Sequence, residues 1–148
     1  MASPVKLKAE LEKITPFAED VFRLDFKVER KYTRFKPGQF LHLTLEDFDP
    51  TQAYWPESRV FSICSPPKSE TLSMIYSVKG AYTSRMREEL REGEEYWLKL
   101  PYGDFIIEQL LGPEDPAVLV AGGTGISPFV SYLEEGLEKG FSRSVYLG

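Results

Sequence analysis

Three short segments carry residues that could bind a flat, phosphorylated ligand. The first, Arg59-Val60-Phe61-Ser62, has the pattern of a strand that holds a guanidinium, an aromatic ring and a hydroxyl close together. An arginine fork binds phosphate through two parallel hydrogen bonds. An aromatic ring can stack on a heterocycle, and a hydroxyl can hydrogen-bond a ring nitrogen. Taken alone, the segment is more typical of a surface arginine, a core phenylalanine and a turn serine.

The other two segments combine glycine with the start of a predicted helix. Gly80-Ala81-Tyr82-Thr83 leads into a helix whose first turn offers free N–H groups to a phosphate, although a plain turn and N-cap would have the same pattern. Gly122-Gly123-Thr124-Gly125 lies between an apolar strand and a helix, where open α/β sheets bind ligands. It matches neither the G-x-G-x-x-G fingerprint nor a Walker loop. Three glycines in four residues nevertheless favour a ligand close to bare backbone.

Alternating apolar residues predict the strands that position the first two segments. The six predicted strands begin near Val5, Phe22, Leu41, Arg59, Leu72 and Tyr96. Between the fifth and sixth strands, Thr83 to Arg91 is predicted to form a helix with Met86 and Leu90 on one face. Six short strands separated by turns indicate an antiparallel barrel or a sandwich, and periodicity does not choose between them.

After a linker at residues 112–116, the pattern changes to that of a βαβ unit. The apolar run 117–121 is typical of a parallel strand buried on both faces. A helix is predicted from Ser127 to Lys139, with an apolar stripe made of Val130, Leu133 and Leu137. Val145-Tyr146-Leu147 begins another strand, whose exposed edge could pair with a second copy of the chain.

Composition excludes several classes of function. The chain has 148 residues, a net charge of −5, one cysteine and one histidine. We therefore expect neither an internal disulfide nor a Cys- or His-based metal site, and the acidic charge argues against nucleic acid. No run reaches the roughly 20 apolar residues of a membrane helix, so we expect no membrane insertion. The start lacks the apolar core of a signal peptide, which predicts a cytoplasmic protein.

Taken together and in this order, the segments resemble the ferredoxin–NADP reductase superfamily of flavoprotein oxidoreductases over nearly the whole chain. Pro37-Gly38-Gln39-Phe40 resembles the strand leading into the flavin site, and Pro101-Tyr102-Gly103-Asp104-Phe105 resembles the closing barrel motif. Met74 to Ser77, with Thr83, is also similar to the electron-transfer subunits of dihydroorotate dehydrogenases. The resemblance implies an all-β, six-stranded antiparallel Greek-key barrel with one capping helix, which binds FAD and spans residues 1–111. An incomplete βαβ unit at residues 112–148 would begin an NAD(P)-binding α/β domain.

The resemblance also implies a role for each matching residue. Arg59 would hold the FAD pyrophosphate, Phe61 would stack on the isoalloxazine, and Ser62 would approach flavin N5. Val60 belongs to the same motif and is counted with the cofactor-binding residues. The other implied cofactor-binding residues form the wall beside the ribityl chain (Ile75, Tyr76, Ser77), the phosphate site at the helix start (Gly80, Tyr82, Thr83) and the nicotinamide-side loop (Gly122, Gly123, Thr124, Gly125). Ser62 and Thr124 are the implied catalytic residues.

The implied chemistry is the transfer of a hydride from NAD(P)H to flavin N5, followed by electron transfer to a protein such as a ferredoxin or another subunit. FMN is less favoured than FAD, because Gly80 to Thr83 suits a dinucleotide. The alternative is a non-catalytic barrel that binds a protein partner and has lost flavin. The unit after residue 111 is too small to bury its own core, so we expect a shortened chain, an incomplete gene product or self-association.

Overall fold

The computed structural model describes residues 3–29, 31 and 33–148 of the chain. The strands of the described part are β1 (Val5–Ala18), β2 (Val21–Lys27), β3 (Phe40–Thr44), β4 (Arg59–Ser62), β5 (Thr71–Ser77), β6 (Glu95–Tyr102), β7 (Ala117–Leu119) and β8 (Val145–Leu147). The helices are α1 (Ala81–Glu89), α2 (Ile107–Leu110) and α3 (Ser127–Lys139), with a 3₁₀ turn at Gly123–Ile126 before α3. Within these residues, no helix has both the length and the hydrophobicity needed to cross a bilayer.

The first six strands form one antiparallel sheet in the order β4-β3-β6-β1-β2-β5. An isolated bridge between Ile63 and Met74 joins the two edge strands, so the sheet curls into a nearly closed barrel. This confirms the predicted six-stranded antiparallel barrel and excludes the sandwich. Strand β3 does not pair with β2, which precedes it in the chain, but with β6. This connection is the crossover of a Greek key.

The barrel core follows the predicted alternation of apolar residues. Its fully buried members include Leu11, Leu24, Phe26, Leu41, Leu43, Met74, Leu98 and Leu100. Helix α1 closes one end of the barrel because Met86 and Leu90, one turn apart, both reach this core. The single capping helix of the predicted fold is thereby confirmed.

The βαβ unit consists of a two-stranded parallel sheet, β7-β8, with α3 packed on one face. Ala117 and Leu119 of β7 are buried with Tyr132 of α3 in a second small core. Val118 and Val120 lie on the other face, where 69% and 76% of their surface is exposed. The expectation of a strand buried on both faces was wrong for the described residues, since α3 covers only one face.

The buried face of α3 also differs from the predicted apolar stripe. Leu137 is 79% exposed, and Val130 and Leu133 are only partly buried. The buried residues of the helix are Ser127, Ser131, Tyr132 and Gly136. Ser131 faces the barrel, where its hydroxyl donates a hydrogen bond to the Ser65 carbonyl. A small polar residue, Ser131, therefore makes a direct contact between α3 and the barrel, which a hydrophobic pattern does not reveal.

Candidate functional site

Arg59 opens strand β4, and its guanidinium extends over the start of α1. The guanidinium carbon lies 4.3 Å from the centroid of the Tyr82 ring. The guanidinium also pairs with the Glu57 carboxylate at 3.1 Å and donates to the Ser58 carbonyl at 2.9 Å. The side chain is 46% exposed. A cation with donors facing solvent therefore lies beside a helix N-terminus.

Tyr82 fixes the first turn of α1 beneath this guanidinium. Its hydroxyl donates to the Glu57 carbonyl at 3.2 Å and accepts from the Leu45 N–H at 3.0 Å. The ring is buried, so the hydroxyl bridges the chain leaving β3 and the chain entering β4. Tyr82 can therefore assist phosphate binding only by fixing the first turn of α1, because its hydroxyl faces the protein.

Thr83 shapes the turn that precedes α1. Its hydroxyl accepts hydrogen bonds from the N–H groups of Lys79, at 2.8 Å, and Gly80, at 3.1 Å. Gly80 has an extended backbone that any residue can adopt, with φ at −157°. A Cβ at Gly80 would meet no described atom within 4 Å. Neither backbone conformation nor packing within the chain requires glycine here, whereas the close approach of a phosphate would.

A groove of about 430 Å³ lies between β5 and the 3₁₀ turn before α3. Ile75 and Ser77 of β5 form one wall, and Gly123 and Thr124 form the facing wall. The remaining lining residues are Phe17, Val21, Lys79, Ile126 and Val130. Thr124, which is 47 positions after Ser77 and 49 after Ile75, is thus brought next to both residues.

Tyr76 points away from this groove, because successive strand residues face opposite sides of the sheet. Its ring is buried and stacks on Phe22, with the centroids 5.5 Å apart. Burial raises the pKa of Tyr76 to about 12, so its phenol is neutral at physiological pH. Tyr76 can offer a ligand its backbone but not its ring.

The aromatic residue of the β4 motif lies on the same side of the barrel wall as Tyr76. The Phe61 ring is 6.3 Å from the Tyr76 ring, and it is partly buried against the core. Val60 and Ser62 alternate with Phe61 along the strand; Val60 is 54% exposed and Ser62 is partly buried. The stacking role of Phe61 and the N5 contact of Ser62 remain predictions.

The glycine loop before α3 is open on the side that faces solvent. A Cβ at Gly122, Gly123 or Gly125 would meet no described atom within 4 Å. Gly123 has φ at +57°, a conformation that favours glycine, whereas Gly122 is extended. The Ser127 hydroxyl donates to the Thr124 carbonyl at 2.8 Å and fixes the turn. The chain itself therefore leaves the space at this loop unfilled, as it does at Gly80.

Sequence patterns did not identify every residue of the groove. Phe17 lies near the end of β1 and is 55% exposed, while Lys79 is the only charged residue lining the groove among the described residues. Neither belongs to a glycine or arginine motif. An apolar residue beside a hairpin turn could have indicated Phe17, but its direction depends on how β1 and β2 curl.

The surroundings of His42 and Cys64 fit a structural role for both residues. The His42 Nδ1 lies 3.1 Å from the Ser58 hydroxyl, and burial together with the Lys99 charge lowers the pKa of the imidazole. Cys64 is fully buried, and burial raises the pKa of its thiol to about 12. In the part of the chain that the structure describes, no three His, Cys, Asp or Glu residues are grouped as metal ligands.

Structural comparison defines the class of the fold. The structure superposes on Amycolatopsis cytochrome P450 reductase GcoB with a TM-score of 0.77 and 24% identity, covering 97% of this chain and 42% of that one. It superposes on a phthalate dioxygenase reductase with a TM-score of 0.77 and 19% identity, covering 96% and 42%. At these identities the likeness establishes the fold, that of ferredoxin–NADP reductase-type proteins.

Sequence comparison identifies the family. The profile of the family described as FAD-binding domain matches residues 6–127, and the chain belongs to this family. It is 33% identical over 141 residues to a flavodoxin/ferredoxin–NADP reductase of Rhodobacter capsulatus, covering 90% of this chain and 49% of that protein. It is 28% identical over 142 residues to the phenol hydroxylase P5 protein of Acinetobacter pittii strain PHEA-2, covering 93% and 36%. The chain thus spans between a third and a half of these two relatives, and the predicted family resemblance and FAD cofactor are confirmed.

Proposed function

We propose that this chain is the FAD-binding part of an NAD(P)H-dependent oxidoreductase, which passes electrons to a protein acceptor such as a ferredoxin or another subunit. The observation that carries the proposal is the position of Arg59 over the first turn of α1, beside the turn whose Lys79 lines the Thr124 groove. When bound, the flavin supplies the electron-accepting chemistry. The chain supplies binding, orientation and exclusion of water.

The phosphate end of the cofactor would be held by Arg59 and the N-terminus of α1. The Arg59–Glu57 pair is exposed, with side-chain accessibilities of 46% and 60%, and such pairs contribute about 0–1 kcal/mol. A pyrophosphate can therefore replace Glu57 at small cost. Gly80 leaves space for it, and free N–H groups in the first turn add donors.

The ring end would lie between β4, β5 and the glycine loop. Ser62 and Thr124 are the proposed catalytic residues, since their hydroxyls would contact the reacting ring system from separate elements. Ile75 and Ser77 would line one side, and Gly122 and Gly125 would leave room for the flavin ring and the nicotinamide. Two facing walls on rigid elements suit a reaction that depends mainly on alignment of two rings.

The βαβ unit at residues 112–148 would belong to the NAD(P)-binding domain, and residues 1–111 would be the FAD-binding domain. Several relatives are reductase or electron-transfer components of oxygenases by their names, among them the terephthalate 1,2-dioxygenase reductase component 1 of Comamonas sp, 30% identical over 121 residues. A cytoplasmic location and an iron–sulfur or haem acceptor would suit this function.

The test is titration of the purified chain with FAD, followed by fluorescence and visible absorption. Quenching of flavin fluorescence with a resolved absorption band, at FAD concentrations where FMN has a weaker effect, supports the proposal. Chromatography of flavin released by denaturation then identifies the cofactor. Failure to bind either flavin would overturn the proposal and favour a non-catalytic barrel that binds a protein partner.

A further inference from the structure

One hydrogen bond between α3 and the barrel is made by the hydroxyl of Ser131, which no sequence motif singled out. We propose that Ser131 and Ser65 are positioning residues, which hold the Thr124 turn at a fixed distance from the strands that carry Ser62 and Ile75. This inference rests on the proposed function, because it concerns the alignment of the two walls of the flavin groove. Neither serine lines the groove itself.

The first half of the connection lies in α3. Ser131 has no exposed surface, and its hydroxyl donates to the Ser65 carbonyl over 2.7 Å. One helical turn earlier, the Ser127 hydroxyl donates to the Thr124 carbonyl over 2.8 Å. The turn that carries Thr124 is therefore fixed to a helix, and that helix is fixed to the barrel at Ser65.

The second half lies in the barrel. Ser65 follows Ser62 by three residues, and its side-chain oxygen accepts from the Ser73 N–H at 3.0 Å. Ser73 belongs to β5, two residues before Ile75, and its carbonyl accepts from the Cys64 N–H at 2.9 Å. Ser65 thus connects the end of β4, strand β5 and helix α3 at one buried point.

Two charged residues extend the hydrogen-bond network at Ser73. The Ser73 hydroxyl donates to the Asp25 carboxylate and accepts from the Arg23 guanidinium at 3.2 Å. Arg23 also donates to Asp25 at 3.1 Å and interacts electrostatically with Glu134 of α3. A partly buried network whose members are all paired has one preferred geometry. Apolar packing alone would let the helix slide, whereas a hydroxyl-to-carbonyl bond has a direction and a length.

The test compares Ser131→Ala with Ser142→Ala, an exposed serine just after α3. Ser131→Ala leaves the Ser65 carbonyl without its donor, so we expect amide hydrogen exchange at residues 122–131 to become roughly tenfold faster. Amides of β1 and β6 should change by much less. With FAD bound, the visible circular dichroism of the flavin should change and FAD affinity should fall several-fold. Ser142→Ala should match the parent chain in all three measurements.

A second variant separates positioning from general stability. Ser131→Thr keeps the donor hydroxyl and should restore the parent dichroism, even if the extra methyl lowers stability. The inference is overturned if Ser131→Ala leaves exchange at residues 122–131 unchanged, or if exchange rises equally throughout the barrel. If Ser131→Ala does not fold, a Ser131→Thr chain with altered dichroism would also overturn it. Failure of the parent chain to bind FAD overturns the proposed function instead, and is seen before any variant is made.

Discussion

The Arg59 guanidinium rests on the face of the Tyr82 ring, with 4.3 Å between its carbon and the ring centroid. This contact joins the only arginine of strand β4 to the buried anchor of helix α1. The cation proposed to bind phosphate is therefore held in place by the residue that fixes the helix whose N-terminus would bind the same phosphate. Two sources of positive potential converge because one tyrosine positions both.

Arg59→Ala is expected to weaken FAD binding about 10- to 100-fold, since charge-assisted hydrogen bonds contribute roughly 1.5–3 kcal/mol. Fluorescence titration measures the change. Arg87→Ala is the matched control, because Arg87 lies in the last turn of α1, away from its N-terminus, and pairs with Asp20. Equal affinity of the Arg59 variant and the parent chain would contradict the proposed phosphate contact.

Alanine at Gly122 is expected to change FAD affinity, whereas alanine at Gly123 is expected to change stability. Gly122→Ala should leave stability unchanged, since the backbone is extended and the new methyl meets no described atom, but it should lower FAD affinity. Gly123→Ala should lose about 1–2 kcal/mol of stability, because φ there is +57°. Urea unfolding and FAD titration of both variants check this. Unchanged FAD affinity in Gly122→Ala would mean that the flavin does not occupy the open space beside Gly122.

Tyr82→Phe should destabilise the barrel by about 1–3 kcal/mol, because the Leu45 N–H would lose its acceptor in a buried position. Tyr146→Phe is the control, since Tyr146 is 61% exposed, and should change stability by less than about 0.5 kcal/mol. Denaturant midpoints at constant slope give both values. A Tyr82 variant as stable as the control would show that the hydroxyl bridge contributes little.

The lowered pKa of His42 predicts that the folded chain loses stability in mild acid. Its pKa in the folded state is lowered from 6.5 by burial and by Lys99, so the unfolded chain takes up the proton first. The stability that depends on neutral His42 is complete above pH 6.5 and declines as the pH falls from 6.5 toward the folded-state pKa. Unfolding at pH 7.5 and 5.5 should therefore differ more for the parent chain than for His42→Gln. An identical difference in both would refute the assignment.

Cys64 should resist thiol reagents in the folded state. The side chain has no exposed surface, and burial raises the pKa of the thiol to about 12, so almost no thiolate forms at pH 8. Labelling with a chromogenic disulfide should be slow in buffer and fast in denaturant. Rapid labelling of the native chain would show that the region around Ser65 opens readily.

The strands were predictable because alternation alone sets which residues face a core. Strand β5 was expected near Leu72 to Val78 and spans Thr71–Ser77, and α3 begins at Ser127 and ends at Lys139 as predicted. The order of the strands was not predictable from alternation, since β3 pairs with β6 and not with β2. Closure at Ile63 and Met74 depends on contacts that periodicity does not encode.

The site was predictable where a motif is local and less so where it depends on packing. Arg59 and Tyr82 are 23 positions apart, yet the two motifs that contain them meet as expected. The buried serines of α3 follow from tertiary packing, which overrides the local pattern, whereas the direction of Tyr76 into the core follows from the alternation of β5. Phe17 and Lys79 line the groove because of the way the barrel curls, and no neighbouring sequence motif predicts their position.

The single bridge between Ile63 and Met74 leaves a seam in the cylinder, where β4 and β5 run side by side with little pairing. The pairing at that seam consists of this bridge with the hydrogen bond from the Cys64 N–H to the Ser73 carbonyl, whereas the neighbouring strands of the sheet pair over several residues. A cofactor bound along the seam would add contacts between the two strands where the sheet itself has few. Flavin and barrel would then melt together, with the cofactor serving as a structural component of its own binding site.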